Sequence, residues 1–185
     1  MPAGARTPTE REVSSRSAGF WVAVFLLLAF AGGGGLDLLG DDSGSNRADL
    51  TGRVTRVVDG DTVKVRLGGG RGTQTVRYIG VDTPETVKPG EPVQCFGKQA
   101  SAFNERLVEG RRVRLEVGRE RTDRYGRLLA YVYLRGHGDP FVNAELLRRG
   151  YARTLAIPPN TDRAGRFAEL QRLARTKGRG LWSAC

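Results

Sequence analysis

The residues best able to do chemistry in this chain lie in three short segments. They are Asp59-Gly60-Asp61-Thr62, Arg77-Tyr78-Ile79-Gly80-Val81-Asp82-Thr83-Pro84-Glu85 and Arg121-Thr122-Asp123-Arg124-Tyr125-Gly126-Arg127-Leu128-Leu129-Ala130-Tyr131. Carboxylates beside a backbone carbonyl are the donors a hard cation takes. Arginine adds a planar fork that matches phosphate and stays charged at any working pH. His137 is the single histidine and lies in the turn-like stretch RGHGDP. That removes paired-imidazole chemistry and leaves little prospect of a Ser-His-Asp triad. Two cysteines are too few for a thiolate zinc site. Any metal must therefore be held by oxygen ligands.

Taken singly, each segment also has a plain structural reading. Asp-Gly between two alternating runs is a hairpin signal, so Asp59 is assigned to a turn while Asp61 stays open. In the second segment, Arg77 to Val81 reads as a strand and Pro84 holds Thr83 extended. Asp82, Thr83 and Glu85 then sit at the mouth of that strand, either as a cation site or as an ordinary polar exit. In the third, Arg127 is expected at the first position of a strand, pointing into the site or into water.

The elements that must position these residues are legible from periodicity. Period-2 runs predict five strands at 53–58, 62–67, 74–81, 112–117 and 127–134. In RVRLEV, Val113, Leu115 and Val117 alternate with Arg112, Arg114 and Glu116, giving one buried and one wet face. Helices are predicted at 98–109, 142–149 and 161–177, the first two stopped by Gly110 and Gly150. The glycine cluster at 68–72 lacks a following helix start and a G-K-[ST], so it reads as a hairpin loop. The expectation is an α+β fold, mainly β: a five-stranded barrel of the oligonucleotide-binding type with three helices.

At 185 residues the chain has room for one folded domain and a tail. Residues 1–31 read as a secretory signal or an N-terminal membrane anchor, since the apolar run Phe20 to Ala31 follows three arginines and ends in Ala29-Phe30-Ala31. Twenty uncharged residues between Arg16 and Asp37 keep the anchor open, although Gly32 to Gly35 weaken it. Either way the domain is expected outside the cell, secreted or tethered to the membrane. Residues 32–49 read as a flexible linker and 50–185 as the domain. The net charge is +10, and residues 50–185 hold 26 basic against 14 acidic residues, net +12. Such a field favours phosphate backbones, the plain alternative being an ordinary solvated surface. In an exported protein Cys95 and Cys185 are expected to pair, the other reading being two unrelated thiols.

The order D-G-D-T, R-x-x-x-x-D-T-P-E, R-T-D-x-Y-G-R-x-L-A-Y resembles the staphylococcal nuclease family over about residues 50–183. Ala100-Ser101-Ala102-Phe103, the segment near Val142 and Leu181-Trp182-Ser183 add to the likeness. The resemblance implies a calcium-dependent nuclease of DNA or RNA leaving 3′-phosphate ends. It implies that Asp61, Asp82 and the Thr83 carbonyl hold Ca²⁺, that Glu85 is the general base, and that Arg77 and Arg127 clamp the phosphate. Arg124 and Tyr125 are candidate substrate contacts, although a core or surface role would suit Tyr125 as well. One departure stands out: where the family carries tyrosines that stack on the nucleotide, this chain has Thr154 to Asn160, so a stacking surface is expected to be missing. The rival reading is a non-catalytic nucleic-acid-binding barrel, which would have lost carboxylates or arginines. A third, a cationic domain on the cell surface that binds acidic polymers, leaves D-T-P-E unexplained.

Overall fold

Alternation dictates the sheet. In the computed structural model, which describes residues 49–86, 90 and 92–185, the strands are β1 Asp49–Val57, β2 Thr62–Leu67, β3 Thr73–Tyr78, β4 Gly80–Asp82, β5 Arg112–Thr122, β6 Leu128–Leu134 and β7 Arg153–Leu155. Five of them close a barrel in the order β1-β2-β3-β6-β5, and β4 pairs with β7 as a separate ribbon. All barrel pairings are antiparallel except β3 with β6. Val54, Val63, Val65, Val76, Leu115 and Val132 point into the barrel and are fully or almost fully buried, while Arg53, Lys64 and Arg66 between them are exposed. This is the expected α+β barrel. The linker and apolar run fall outside the described residues, apart from Asp49, which belongs to β1 and not to a spacer.

Helices α1 Gly97–Val108, α2 Val142–Arg148 and α3 Ala164–Thr176 cover the barrel. A further turn of helix, α4 Leu181–Ala184, follows them and was not anticipated as an element. The third helix is shorter than expected because Ala164 N–H bonds to the Thr161 carbonyl in a turn before the helix starts. No helix among the described residues is long and apolar enough to cross a membrane.

The strand expected at 74–81 is interrupted. Gly80 adopts φ 79°, a left-handed conformation that side chains disfavour. A β-carbon there would lie 2.4 Å from a ring carbon of Phe167, so only hydrogen fits beneath that ring. Ile79 N–H bonds to the Ala130 carbonyl at 3.0 Å. Its own carbonyl accepts from Asn143 Nδ2 at 2.8 Å, and Asn143 Oδ1 accepts Val132 N–H at 2.9 Å. One buried amide thus fastens the break to β6, and the chain leaves the barrel towards β7 carrying Asp82 with it.

Cys95 and Cys185 are joined by a disulfide, with Cα atoms 6.0 Å apart. The last residue of the chain is therefore fastened to the segment that leads into α1.

Candidate active site

Asp61, Arg77 and Asp82 meet because three backbone devices deliver them to one end of the barrel. The β1–β2 turn is closed by Val58 N–H to the Thr62 carbonyl at 2.9 Å, and Asp59 Oδ1 accepts Asp61 N–H at 3.1 Å. Asp59 is therefore the turn residue, as its position suggested. Gly60 lets this turn approach the D-T-P-E segment, since a β-carbon on it would meet Thr83 Oγ1 at 2.5 Å. Asn104 in α1 holds the turn from below, donating to the Asp59 carbonyl at 3.2 Å and accepting the Tyr78 hydroxyl at 3.2 Å.

Arg77, the penultimate residue of β3, bridges the two carboxylates. Its Nη1 lies 2.8 Å from Asp61 Oδ2 and its Nη2 lies 2.9 Å from Asp82 Oδ1. Nη1 also donates to the Val81 carbonyl at 2.9 Å. Asp61 is buried and accepts Thr83 N–H at 2.8 Å, Thr83 Oγ1 at 3.1 Å and Thr62 Oγ1 at 3.2 Å. Burial pushes its carboxyl up to about 7, opposed chiefly by Arg77 and aided by the charges of Asp59 and Asp82. Two carboxylates thus share one guanidinium, Asp61 buried and Asp82 open to solvent.

Paired carboxylate oxygens of this kind are the donors a hard divalent cation takes. Among the described residues no three His, Cys, Asp or Glu side chains gather around a common point. The oxygens this end of the barrel offers are the paired carboxylates of Asp61 and Asp82, both engaged by Arg77.

Arg127 arrives from the other side. It precedes β6 by one residue, where a strand start was expected, because the loop before it is organised by Asp123. Asp123 N–H bonds to the Arg127 carbonyl, and its Oδ1 accepts Tyr125 N–H and Arg127 N–H at 2.9 and 3.0 Å. Its Oδ2 takes Arg127 Nε at 2.7 Å. Partial burial alone would raise the Asp123 carboxyl, but these bonds outweigh it and hold it below its ordinary value.

Arg77 and Arg127 line one cavity of about 360 Å³ together with Arg124, Tyr125, Leu155 and Ile157. Both candidate substrate contacts, Arg124 and Tyr125, are thus on this cavity, Tyr125 exposed and stacked beneath the guanidinium of Arg124. The segment 154–160 has no tyrosine to offer, as expected. It supplies exposed aliphatic faces, Leu155 and Ile157, instead.

Glu85 stands apart from that cavity. Its backbone is gripped by Gln94, whose Oε1 accepts Glu85 N–H and whose N–H donates to the Glu85 carbonyl, both at 3.0 Å. Its carboxylate accepts Thr86 N–H at 2.9 Å. A second, smaller hollow beside it is lined by Asp82, Thr83, Gln94, Arg153 and the Cys95–Cys185 bridge. Asp123, Asn104, Asn143, Gln94 and Arg153 were not singled out from the sequence. Asp123 carried a signal, an Asx residue followed by Gly in a turn; the others act through contacts distant along the chain.

The family profile described as Staphylococcal nuclease homologue matches residues 75–184. The chain belongs to the staphylococcal nuclease family. Within that family, a thermonuclease of Staphylococcus hyicus is 44% identical over 139 residues, covering 75% of this chain and 79% of that protein. A thermonuclease of Staphylococcus intermedius is 46% identical over 129 residues, 70% of this chain and 74% of its own length. The SPbeta prophage-derived endonuclease YokF of Bacillus subtilis is 42% identical over 132 residues, 70% of this chain but 43% of the relative.

Proposed function

We infer that this protein is a nuclease that hydrolyses phosphodiester bonds of DNA or RNA in a calcium-dependent way, leaving 3′-phosphate ends. The observation that carries this reading is Arg77 bridging Asp61 and Asp82 at the rim of the cavity it shares with Arg127, in a member of a family whose relatives bear the names thermonuclease and endonuclease.

Asp61, Asp82 and the Thr83 carbonyl would hold the cation, which when bound polarises a phosphoryl oxygen and offsets the charge gathering on it. Arg77 and Arg127 grip the non-bridging oxygens in bidentate fashion and stabilise the charge developing there as water attacks phosphorus. Glu85 is assigned by the family resemblance to orient that water and accept its proton, and would have to turn from its Thr86 contact towards the cavity to do so. The bond from phosphorus to the 5′ oxygen breaks as the water oxygen bonds to phosphorus, and the departing oxygen takes a proton from solvent. Leu155 and Ile157 offer the base an aliphatic surface, so stacking, worth about 1 to 3 kcal/mol per base where aromatics supply it, contributes less here.

The same reading places the domain outside the cell, secreted or held by the N-terminal segment. The apolar run at 20–31 and the disulfide support it. A non-catalytic nucleic-acid-binding barrel is the second reading, and the presence of all five polar groups speaks against it. The test incubates the protein with DNA and with RNA in calcium, in magnesium and in chelator. Cleavage in calcium that chelator abolishes is expected; absence of cleavage in every calcium condition overturns the enzyme reading.

A further inference from the structure

At the barrel end remote from Arg77 and Arg127, four arginines from neighbouring segments stand in a row. Arg53 of β1 is directly opposite Arg66 of β2 on one side and Arg112 of β5 on the other. Arg135, just past β6, donates its N–H to the Arg112 carbonyl at 2.8 Å. All four are exposed, and all four line a groove of about 660 Å³ in which no acidic side chain takes part.

Like charges placed directly across a sheet are destabilising, yet this row contains two such pairings. Several other surface arginines are neutralised, as Arg114 by Asp49, Arg119 by Asp162 and Arg163 by Glu116. Among the described residues none of the four groove arginines is ion-paired. Arg53 is instead held by its bond to the Gly110 carbonyl, so its guanidinium is fixed before any ligand arrives. A third like-charged pair, Arg56 opposite Lys64, continues the row along the β1–β2 hairpin towards the Asp59–Asp61 turn. Both are exposed.

We propose that this groove is a second binding site, for the phosphodiester backbone of the polynucleotide substrate, and that the β1–β2 hairpin is the track joining it to the catalytic end. The inference rests on the nuclease reading for the identity of its ligand. Arg127 and Arg135 flank β6 and lie eight residues apart in sequence, so the two ends are roughly 25 Å apart at the usual strand rise. That is about seven nucleotides at the rise of one duplex strand, beyond the reach of a very short substrate. An anionic lipid surface is the poorer match. The cations line a groove, and none of the exposed large apolar side chains among the described residues, such as Val93, Leu155 or Leu173, belongs to its lining.

The test uses the full chain carrying Arg66→Gln, Arg112→Gln and Arg135→Gln together, with Arg53 kept because it bonds to backbone. Removing the mutual repulsion should leave the melting temperature unchanged or raised, so a folding defect is recognisable. KM for a long single-stranded DNA should rise on the order of tenfold at low salt with kcat unchanged. Its logarithmic salt slope should flatten by about two, as expected for three lost phosphate contacts. Turnover of a dinucleotide should not change. Affinity for labelled long DNA in chelator, read by fluorescence anisotropy, should fall by a like factor, and this arm needs no cleavage. If the parent binds but does not cut, the enzyme reading fails while the groove stands. If the variant matches the parent in KM, salt slope and anisotropy, or loses only adsorption to phosphatidylglycerol vesicles, the groove assignment is wrong.

Discussion

Arg77 serves two purposes that ordinary surface arginines do not combine. It is the counter-charge of a buried carboxylate, and it faces the cavity where a phosphate would sit. Arg127 also faces that cavity and also pairs with a carboxylate, Asp123, but one that is only partly buried. Alanine at either position should lower kcat on the order of 10² or more, as for loss of other transition-state donors. The two should differ in stability: with chelator present, Arg77→Ala is expected to cost about 3 kcal/mol because it strands Asp61, and Arg127→Ala less than about 1 kcal/mol. Urea unfolding separates them, and equal losses would deny Arg77 its structural part. Asp123 makes a pH-dependent prediction. Its folded value lies below the ordinary 3.8, so its contribution is complete above that pH and disappears as the pH falls through the folded value. The melting-temperature gap between the parent and Asp123→Asn should be widest near neutrality and close as the solution is taken well below pH 3.8; a gap that widened instead would reverse the sign. The carboxylates and arginines were legible because their types and order are dictated by the chemistry. Gln94 and Asn104 were not, since an amide that binds backbone looks like any other amide until the fold brings its partner to it.

At the scale of elements, the break between β3 and β4 decides where the site opens. Alternation through Arg77-Tyr78-Ile79-Gly80-Val81 reads as one strand because period-2 patterning records which side chains are buried, not which carbonyl goes unpaired. Only the ring of Phe167, 87 positions later in the chain, makes Gly80 obligatory. Gly80→Ala should therefore cost about 2 to 4 kcal/mol, from the left-handed backbone and the overpacked ring together. Asn143→Leu strands the Ile79 carbonyl and Val132 N–H and should cost at least about 2 kcal/mol. Unchanged urea midpoints in either variant would show that the break is held by something else. The five barrel strands were recoverable because each buries one face. β7 was not, being three residues long and defined by its partner.

At the scale of the whole molecule, the disulfide closes a loop of 90 residues. In the chain-entropy account such a bridge contributes about 4 to 5 kcal/mol, so Cys185→Ser should lower the melting temperature on the order of 10 °C. Calorimetry in the presence and absence of a reductant gives an independent reading; a parent whose transition ignored reduction would contradict it. Pairing of the two cysteines was open to inference from their number and the expectation of export, whereas their place beside Asp82 and Gln94 was not, because two barrel strands, β7 and four helices separate Cys185 from Cys95. That place has a practical consequence for anyone preparing the protein. A peptide tag fused after Cys185 would emerge at the hollow lined by Asp82 and Thr83, so a polyhistidine tail there would set imidazoles against the carboxylates proposed to hold calcium. The same tail joined ahead of Asp49 begins at a strand start beside Glu116 of β5, outside the lining of that hollow.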